Sequence, residues 1–253
     1  MKILIWIRSL ISTILFPFTV IILGPIAIMM NILFQNKKID DSIISFWGRL
    51  CCKMAGVQVH VRGLELIPDQ GCIVLFNHSS FFDVFAIAGY VPGVRFGAKA
   101  ELFKIPIFGR AMKVLGTLPI ARANRQEVYK IYDEAKGRFK HNEKFALAPE
   151  GGRHYGRELA PFKAGPFIFA MSAQVPVVPI VIIGAYEAMP KGAILFNKNH
   201  WHQKIQIHIL SPVPTAEVTR ETRSHLQSIV YEKMNTIWKS QAHAMTIPIP
   251  NSE

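Results

Sequence analysis

The run from Leu10 to Phe34 constrains the chain most, because its 25 consecutive residues carry no charged side chain. As one helix it would reach about 37 Å, enough to cross the hydrocarbon core of a bilayer with tilt. It is too long for a signal-peptide core and has no clear small-residue cleavage site. Pro17 and the pair Gly24-Pro25 interrupt it, and each proline removes a helix hydrogen bond and crowds the preceding turn. The flanks are charged alike, with Lys2 and Arg8 before and Lys37 and Lys38 after. A single crossing normally leaves one side poorer in positive charge. The pattern favours a re-entrant or interfacial helical hairpin with both ends in the cytoplasm; a tilted single span is the alternative. The expected organisation is a membrane anchor over residues 1–40, a folded domain over 41–239 and a flexible tail over 240–253 that carries Pro248 and Pro250.

The formal net charge of +12 calls for acidic partners. An anionic membrane surface, phosphorylated substrates and acyl carrier protein all qualify. Nucleic acid does not fit: no zinc-finger, RNP or helix-turn-helix signature is present, and Lys and Arg are dispersed. The three cysteines, Cys51, Cys52 and Cys72, show no CxxC spacing. They read as reduced thiols in a cytosol-facing domain, packed as small hydrophobes.

Beyond the apolar run, short β-like segments alternate with helical ones. Strands are expected at Val57–Val61, Cys72–Phe76, Val94–Ala98, Thr117–Ile120, Phe145–Ala148, Val177–Ile183 and Lys204–Leu210. A helix is expected from Asn124 to about Lys140, with Val128, Ile131, Tyr132, Ala135 and Phe139 on one face. A last helix, near Glu221 to Lys239, aligns Leu226, Ile229, Val230, Met234, Ile237 and Trp238. The alternation predicts an α/β fold, a largely parallel sheet flanked by helices, preceded by the membrane-embedded helical segment.

The strand Cys72–Phe76 runs into Asn77-His78-Ser79-Ser80-Phe81-Phe82-Asp83. Catalytic groups gather at the carboxyl ends of strands in open α/β sheets. A carboxylate five residues after a histidine can hold one imidazole tautomer, so that the other nitrogen takes a proton from an alcohol. The same residues also suit a helix start, with Ser79 or Ser80 as N-cap and Asp83 favouring the dipole. A second strand ends in Ala148-Pro149-Glu150-Gly151-Gly152-Arg153, which supplies a carboxylate, a pliable backbone and a guanidinium suited to phosphate. Arg122 follows a further strand, and Phe162-Lys163-Ala164-Gly165 adds another cation. His200, His202 and His208 lack the Cys or carboxylate partners of a zinc site, so no metal is expected.

In this order the segments resemble the 1-acyl-glycerol-3-phosphate acyltransferase family, over about residues 40 to 215. Asn77, His78 and Asp83 match its Asn-His-x4-Asp block. Gly116 and Arg122 match the second block. Pro149, Glu150, Gly151 and Arg153 match the third, where Ala148, Gly152 and His154 depart from Phe-Pro-Glu-Gly-Thr-Arg-Ser. Pro176 and Pro179 match the Val-Pro-rich fourth, and the stretch from Ala98-Lys99-Ala100-Glu101-Leu102 through Pro106 and Gly109 is similar as well.

The resemblance implies acyl transfer from acyl-CoA or acyl carrier protein to the hydroxyl of a lysophospholipid acceptor, with no cofactor. It implies His78 as the base and Asp83 as its orienting partner. It also implies substrate binding by Asn77, Lys99, Arg122, Glu150, Gly151, Arg153 and Lys163, with Glu150 on the glycerol portion and Lys99, Arg122, Arg153 and Lys163 on the phosphate. The implied location is a membrane with the catalytic domain facing the cytoplasm, the inner membrane if the chain is bacterial. Gly152 and His154 replace hydroxyl residues beside Arg153, which bears on the acceptor's identity more than on the reaction. Other lysolipids and glycerol-3-phosphate remain as acceptors, and a lipid hydrolase or a basic lipid-binding protein as other activities. Neither Ser79 nor Ser80 lies in a Gly-x-Ser-x-Gly elbow, which argues against the hydrolase.

Overall fold

The computed structural model describes residues 1–121, 124–219 and 221–244, with side chains described to residue 241. In chain order the elements begin with helices α1 (Lys2–Phe34) and α2 (Lys37–Met54), then strands β1 (Val57–Arg62) and β2 (Cys72–Phe76). Next come α3 (Phe82–Tyr90), β3 (Val94–Lys99), α4 (Phe108–Val114), β4 (Leu118–Ile120), α5 (Arg125–Ala135) and β5 (Lys144–Leu147). The chain closes with α6 (Gly165–Ala173), β6 (Val177–Ile183), α7 (Ala185–Ala188), β7 (Gln203–Ile209) and α8 (Arg223–Ala244). All seven expected strands form, within a residue or so at each end.

The strands follow the order β1-β7-β6-β2-β5-β3-β4. Residues cluster into two compact units. One comprises Met1–His60, Ser80–Arg125 and Gly184–Ile205; the other comprises Val61–Ser79, Gln126–Ile183 and Gln206–Glu253.

In the second unit β2 lies between two parallel neighbours, with Ile73 opposite Phe145 of β5 and Val177 of β6. All five residues of β2 and all seven of β6 are buried. That is why both read as continuous apolar runs rather than alternating ones. Strand β7 runs antiparallel to β6, with Ile182 opposite Ile207. Helices α6 and α8 cover this part of the sheet. The helix expected at 124–140 is α-helical to Ala135 and continues as a 3-10 turn through His141. The last helix runs to Ala244, five residues past its expected end.

In the first unit α1 is one continuous helix that passes through Pro17 and Pro25. The chain reverses instead at Gln35, in the left-handed region at φ 46°, and Asn36 caps α2 by accepting the Lys38 N–H at 2.9 Å. Asn31 Nδ2 donates to Asp40 Oδ2 at 3.0 Å and Trp47 Nε1 donates to Thr19 Oγ1 at 3.1 Å, so α1 and α2 pack antiparallel. Each proline removes one bond from the ladder, and packing against α2 and α4 holds the helix across the gap. The prolines interrupt the hydrogen-bond ladder without breaking the helix, so residues 10–34 form the single continuous helix of the alternative reading, and the chain turns back only after Phe34.

Helix α1 is inverted relative to a soluble amphipathic helix. It buries Ser9, Ser12, Thr19, Gly24 and Ala27 against the protein and turns Leu10, Ile14, Phe18, Ile21, Ile22, Met29 and Ile32 outward. Its most apolar 18-residue window has mean hydropathy 2.2, and 17% of that window is buried. Small residues at the helix–helix seam and large apolar ones outside are how a helix meets lipid. By length and composition α1 can cross a membrane, and its outward face is that of a membrane-associated chain.

On the other side of α2, Gly48 meets Gly89 of α3. A Cβ on Gly48 would lie 2.5 Å from Gly89 N and 2.7 Å from Phe85 O. Two glycines therefore let α3, which carries Asp83, seat directly on α2.

Candidate active site

Strand β2 delivers Asn77 and His78 at its carboxyl end. The Asn77 side chain is 1% exposed, and both of its polar ends meet one residue of β6. Its Oδ1 accepts the Ile182 N–H at 2.7 Å and its Nδ2 donates to the Ile182 carbonyl at 2.9 Å. Phe76, opposite Ile180, is the last ladder partner in β2. The Asn77 amide thus extends the β2–β6 pairing past the end of the strand, using a side chain where backbone pairing has stopped.

The next residue is held from both sides by the loop after β5. The His78 N–H donates to Glu150 Oε1 at 2.9 Å, and the His78 carbonyl accepts the His154 N–H at 2.7 Å. The second oxygen of Glu150 accepts the Ala160 N–H at 3.0 Å. With the residue 8% exposed, this carboxylate acts as a buried brace between two backbone donors. The imidazole itself is half-buried, its ring 5.8 Å from that of Phe76.

The loop conformation depends on Gly151, at φ 77°, whose N–H closes a turn onto the Ala148 carbonyl at 3.1 Å. A side chain there would adopt a left-handed conformation that L residues disfavour. Lys163 N donates to the Pro149 carbonyl at 2.7 Å, and the Lys163 stem passes Gly151 while its end reaches solvent. Arg153 is half-buried in the same loop. His154 engages His78 through its backbone N–H, a bond any residue except proline can make. This gives a physical reason why a histidine is accommodated where the resembled family carries a hydroxyl.

In the first unit Asp83 sits in the opening turn of α3, fully buried. Its Oδ2 accepts the Ser80 N–H at 2.7 Å, and Ser80 Oγ accepts the Phe82 N–H at 3.2 Å and donates to the Met189 carbonyl at 2.9 Å. The Ser80 N–H and hydroxyl thus tie the turn before α3 to Asp83, Phe82 and Met189. The N-cap of α3 is Phe81 and no side chain caps it, so neither Ser79 nor Ser80 takes that place; Asp83 does lie in the first turn, where the Ser80 N–H fixes its carboxylate. Lys99 is exposed on its side chain by 54% and lies 3.5 Å from Glu101 Oε1, a solvent-screened pair. Arg122 falls outside the described residues.

The structure therefore groups Asn77, His78, Glu150, Gly151, Arg153 and Lys163 in one unit, and places Asp83 and Lys99 in the other. Ile182 and Ala160 were missed by sequence reasoning. Both act through backbone atoms and so carry no side-chain signal. The three histidines considered as metal ligands divide between the exposed loop before β7, with His200 and His202, and the buried strand position His208. Burial, and then the nearby Arg62 charge, lowers the His208 pKa.

Residues 58–183 match the family model described as Acyltransferase. The chain is 33% identical over 177 residues to a chloroplastic 1-acyl-sn-glycerol-3-phosphate acyltransferase of Brassica napus, an alignment covering 68% of this chain and 50% of that one. It is 28% identical to the 1-acyl-sn-glycerol-3-phosphate acyltransferase of Escherichia coli, with 94% of this chain and 97% of that one aligned. The chain spans about half the length of the plant relatives it matches. Among solved structures it is similar to the crystal structure of the 1-acyl-sn-glycerophosphate (LPA) acyltransferase PlsC from Thermotoga maritima. The TM-score is 0.78 and the identity 27%, over 96% of this chain and 98% of that chain.

Proposed function

The chain belongs to the acyltransferase family, and from that premise we propose that it moves a fatty acyl chain from a thioester donor to the sn-2 hydroxyl of 1-acyl-glycerol-3-phosphate, giving phosphatidic acid. The observation that carries the reading is a half-buried histidine at the carboxyl end of β2 whose backbone is held on both sides, its N–H by Glu150 and its carbonyl by the His154 N–H, which fixes where its ring starts from. A general base works only when its nitrogen is held where the proton will leave.

In the proposed reaction His78 accepts the proton of the acceptor hydroxyl as its oxygen bonds to the thioester carbonyl carbon. Asp83 keeps the imidazole in the tautomer that can accept. The tetrahedral intermediate then collapses, the C–S bond breaks, and His78 returns the proton to the departing thiolate. Hydroxyl and thioester go in, ester and free thiol come out, and no acyl-enzyme or metal is required. Acyl-CoA and acyl carrier protein are both chemically suited as donors. Glu150 serves as the brace on His78, and its carboxylate is already committed to two N–H donors. Arg153, Lys163, Lys99 and Arg122 hold the acceptor phosphate. Residues 1–40 seat the enzyme in the membrane, with the domain of residues 41–239 on the cytoplasmic side.

His78→Ala, purified and assayed for lysophosphatidate acylation, should lose activity by several orders of magnitude; activity near wild type would overturn the assignment. Arg153→Ala should raise KM for lysophosphatidate far more than for the acyl donor, and an effect confined to the donor would contradict its role. A mass-spectrometric panel of lysolipid acceptors and glycerol-3-phosphate, run with both donor types, tests the acceptor, on which the Gly152 and His154 departures bear.

A further inference from the structure

The segment from Pro190 to His202, between α7 and β7, is fastened to α1 by a single charged residue of that helix. The Arg8 guanidinium donates to the carbonyls of Asn197 and His200, each at 2.8 Å, and to that of Trp201. It also lies 5.3 Å from the Trp201 ring centroid. Thr13 Oγ1 of α1 accepts the Phe196 N–H at 3.0 Å. The Phe196 ring packs edge-on against Phe16 of α1 at 5.5 Å and Phe82 of α3 at 5.3 Å. Asn197 Nδ2 donates to the Ala55 carbonyl at 2.8 Å, and the Gln203 N–H donates to the Gly56 carbonyl at 3.0 Å. The inner side of the loop is therefore pinned at four places.

Its outer side has the opposite character. Ile194 is 78% exposed and Trp201 43% exposed. Lys191, Lys198, His200 and His202 are exposed between and beside them. No Asp or Glu occurs from Met189 to Ala216. The stretch of α1 that Arg8 joins to this loop exposes Ile3, Leu4, Trp6 and Ile7. A rigid loop that turns an isoleucine and a tryptophan to solvent stands against the hydrophobic effect unless something apolar receives them. Tryptophan with lysine, and no acid, is the composition of the membrane–water interface on an anionic leaflet. The exposed apolar face of α1 continues from the same point through Leu10, Ile14 and Phe18.

We propose that residues 190–202 are a second membrane-contact site. Ile194 and Trp201 enter the headgroup level of an anionic bilayer, Lys191 and Lys198 meet lipid phosphates, and Arg8 straps the loop to α1 so that loop and helix meet the bilayer together. Three carbonyls accept from the two terminal nitrogens of Arg8, which offsets part of the cost of setting a guanidinium beside an apolar helix. A protein partner, including a second copy of this chain, would need no such continuity with a lipid-facing helix.

A nitroxide on Ile194→Cys tests this in the full chain. The native thiols are buried, so labelling is confined to the new one. In vesicles of phosphatidylethanolamine and phosphatidylglycerol, the label should collide with oxygen several-fold more often than with a water-soluble nickel chelate. A label at Glu134→Cys, on exposed α5, should show the reverse. Equal nickel access at the two sites would overturn the proposal. So would dipolar broadening between labels of two copies, which would assign the patch to self-association. Adding Lys191→Gln and Lys198→Gln to the labelled chain should open the site to nickel, and unchanged protection would remove the lysines from it.

Discussion

Replacing Asn77 by alanine should separate a structural clamp from a substrate contact. In the native fold both polar ends of the Asn77 side chain bond the Ile182 backbone, at 2.7 and 2.9 Å, in a position 1% exposed. Alanine leaves the Ile182 N–H and C=O facing a gap in a sheet region with no water access. Each orphaned buried group costs about 1–3 kcal/mol, so the pair costs about 2–6 kcal/mol. With a urea slope of about 1–3 kcal/mol per M, the unfolding midpoint should fall by about 2 M at mid-range and by no less than about 0.7 M. Trp238 gives a local readout, since it is buried in the same unit and its Nε1 donates to the Gly156 carbonyl at 3.1 Å. At temperatures where the variant is folded, KM for lysophosphatidate should stay near wild type while kcat falls, because the clamp sits next to His78 and both of its polar ends are committed to Ile182. Asn77→Asp should also destabilise, by setting a carboxylate against the Ile182 carbonyl. A wild-type midpoint combined with a raised KM would refute the clamp and make Asn77 a binding residue.

Glu150→Gln keeps the shape of the brace but turns an NH2 toward one of its two N–H donors. Losing one charge-assisted bond, worth about 1.5–3 kcal/mol, should lower kcat by one to two orders of magnitude with little change in KM, and steady-state kinetics at saturating donor checks this. Gly48→Ala forces α2 away from Gly89 and Phe85 O. Overpacking at about 1–3 kcal/mol should lower Tm, and an unchanged melting curve in detergent would refute the close helix contact. Burial pushes the Cys51 and Cys72 thiols up to about 12 and raises Cys52 as well, so at pH 8 all three stay protonated. A maleimide should modify none of them in the folded protein and all three in denaturant, as counted by intact mass.

Much of the molecule was legible in its residues. Cys72–Phe76 and Val177–Ile183 are short apolar runs bounded by turn formers, and a strand buried on both faces needs nothing more to be recognised. Their carboxyl ends located His78, and local order placed Asp83 in the first turn of the helix that follows, where its carboxylate accepts the Ser80 N–H. These features depend on neighbours within a few positions, and sequence reports such neighbours directly.

What only the tertiary structure decided involves partners far apart in the chain. Asn77 reaches Ile182, 105 residues on; His78 meets Glu150, 72 residues on; and Arg8 donates to carbonyls 189, 192 and 193 residues away. Glu150 looked like a ligand group because an acidic residue beside Gly-Gly and Arg suggests solvent and substrate. Its brace role follows from two backbone N–H donors that have no letter in the sequence. The apolar run by itself pointed to a membrane, since as one helix it is long and apolar enough to cross one. Where the run reverses was set by packing: Thr19, Gly24 and Ala27 face protein, so the helix survives Pro17 and Pro25 and turns only at Gln35 and Asn36.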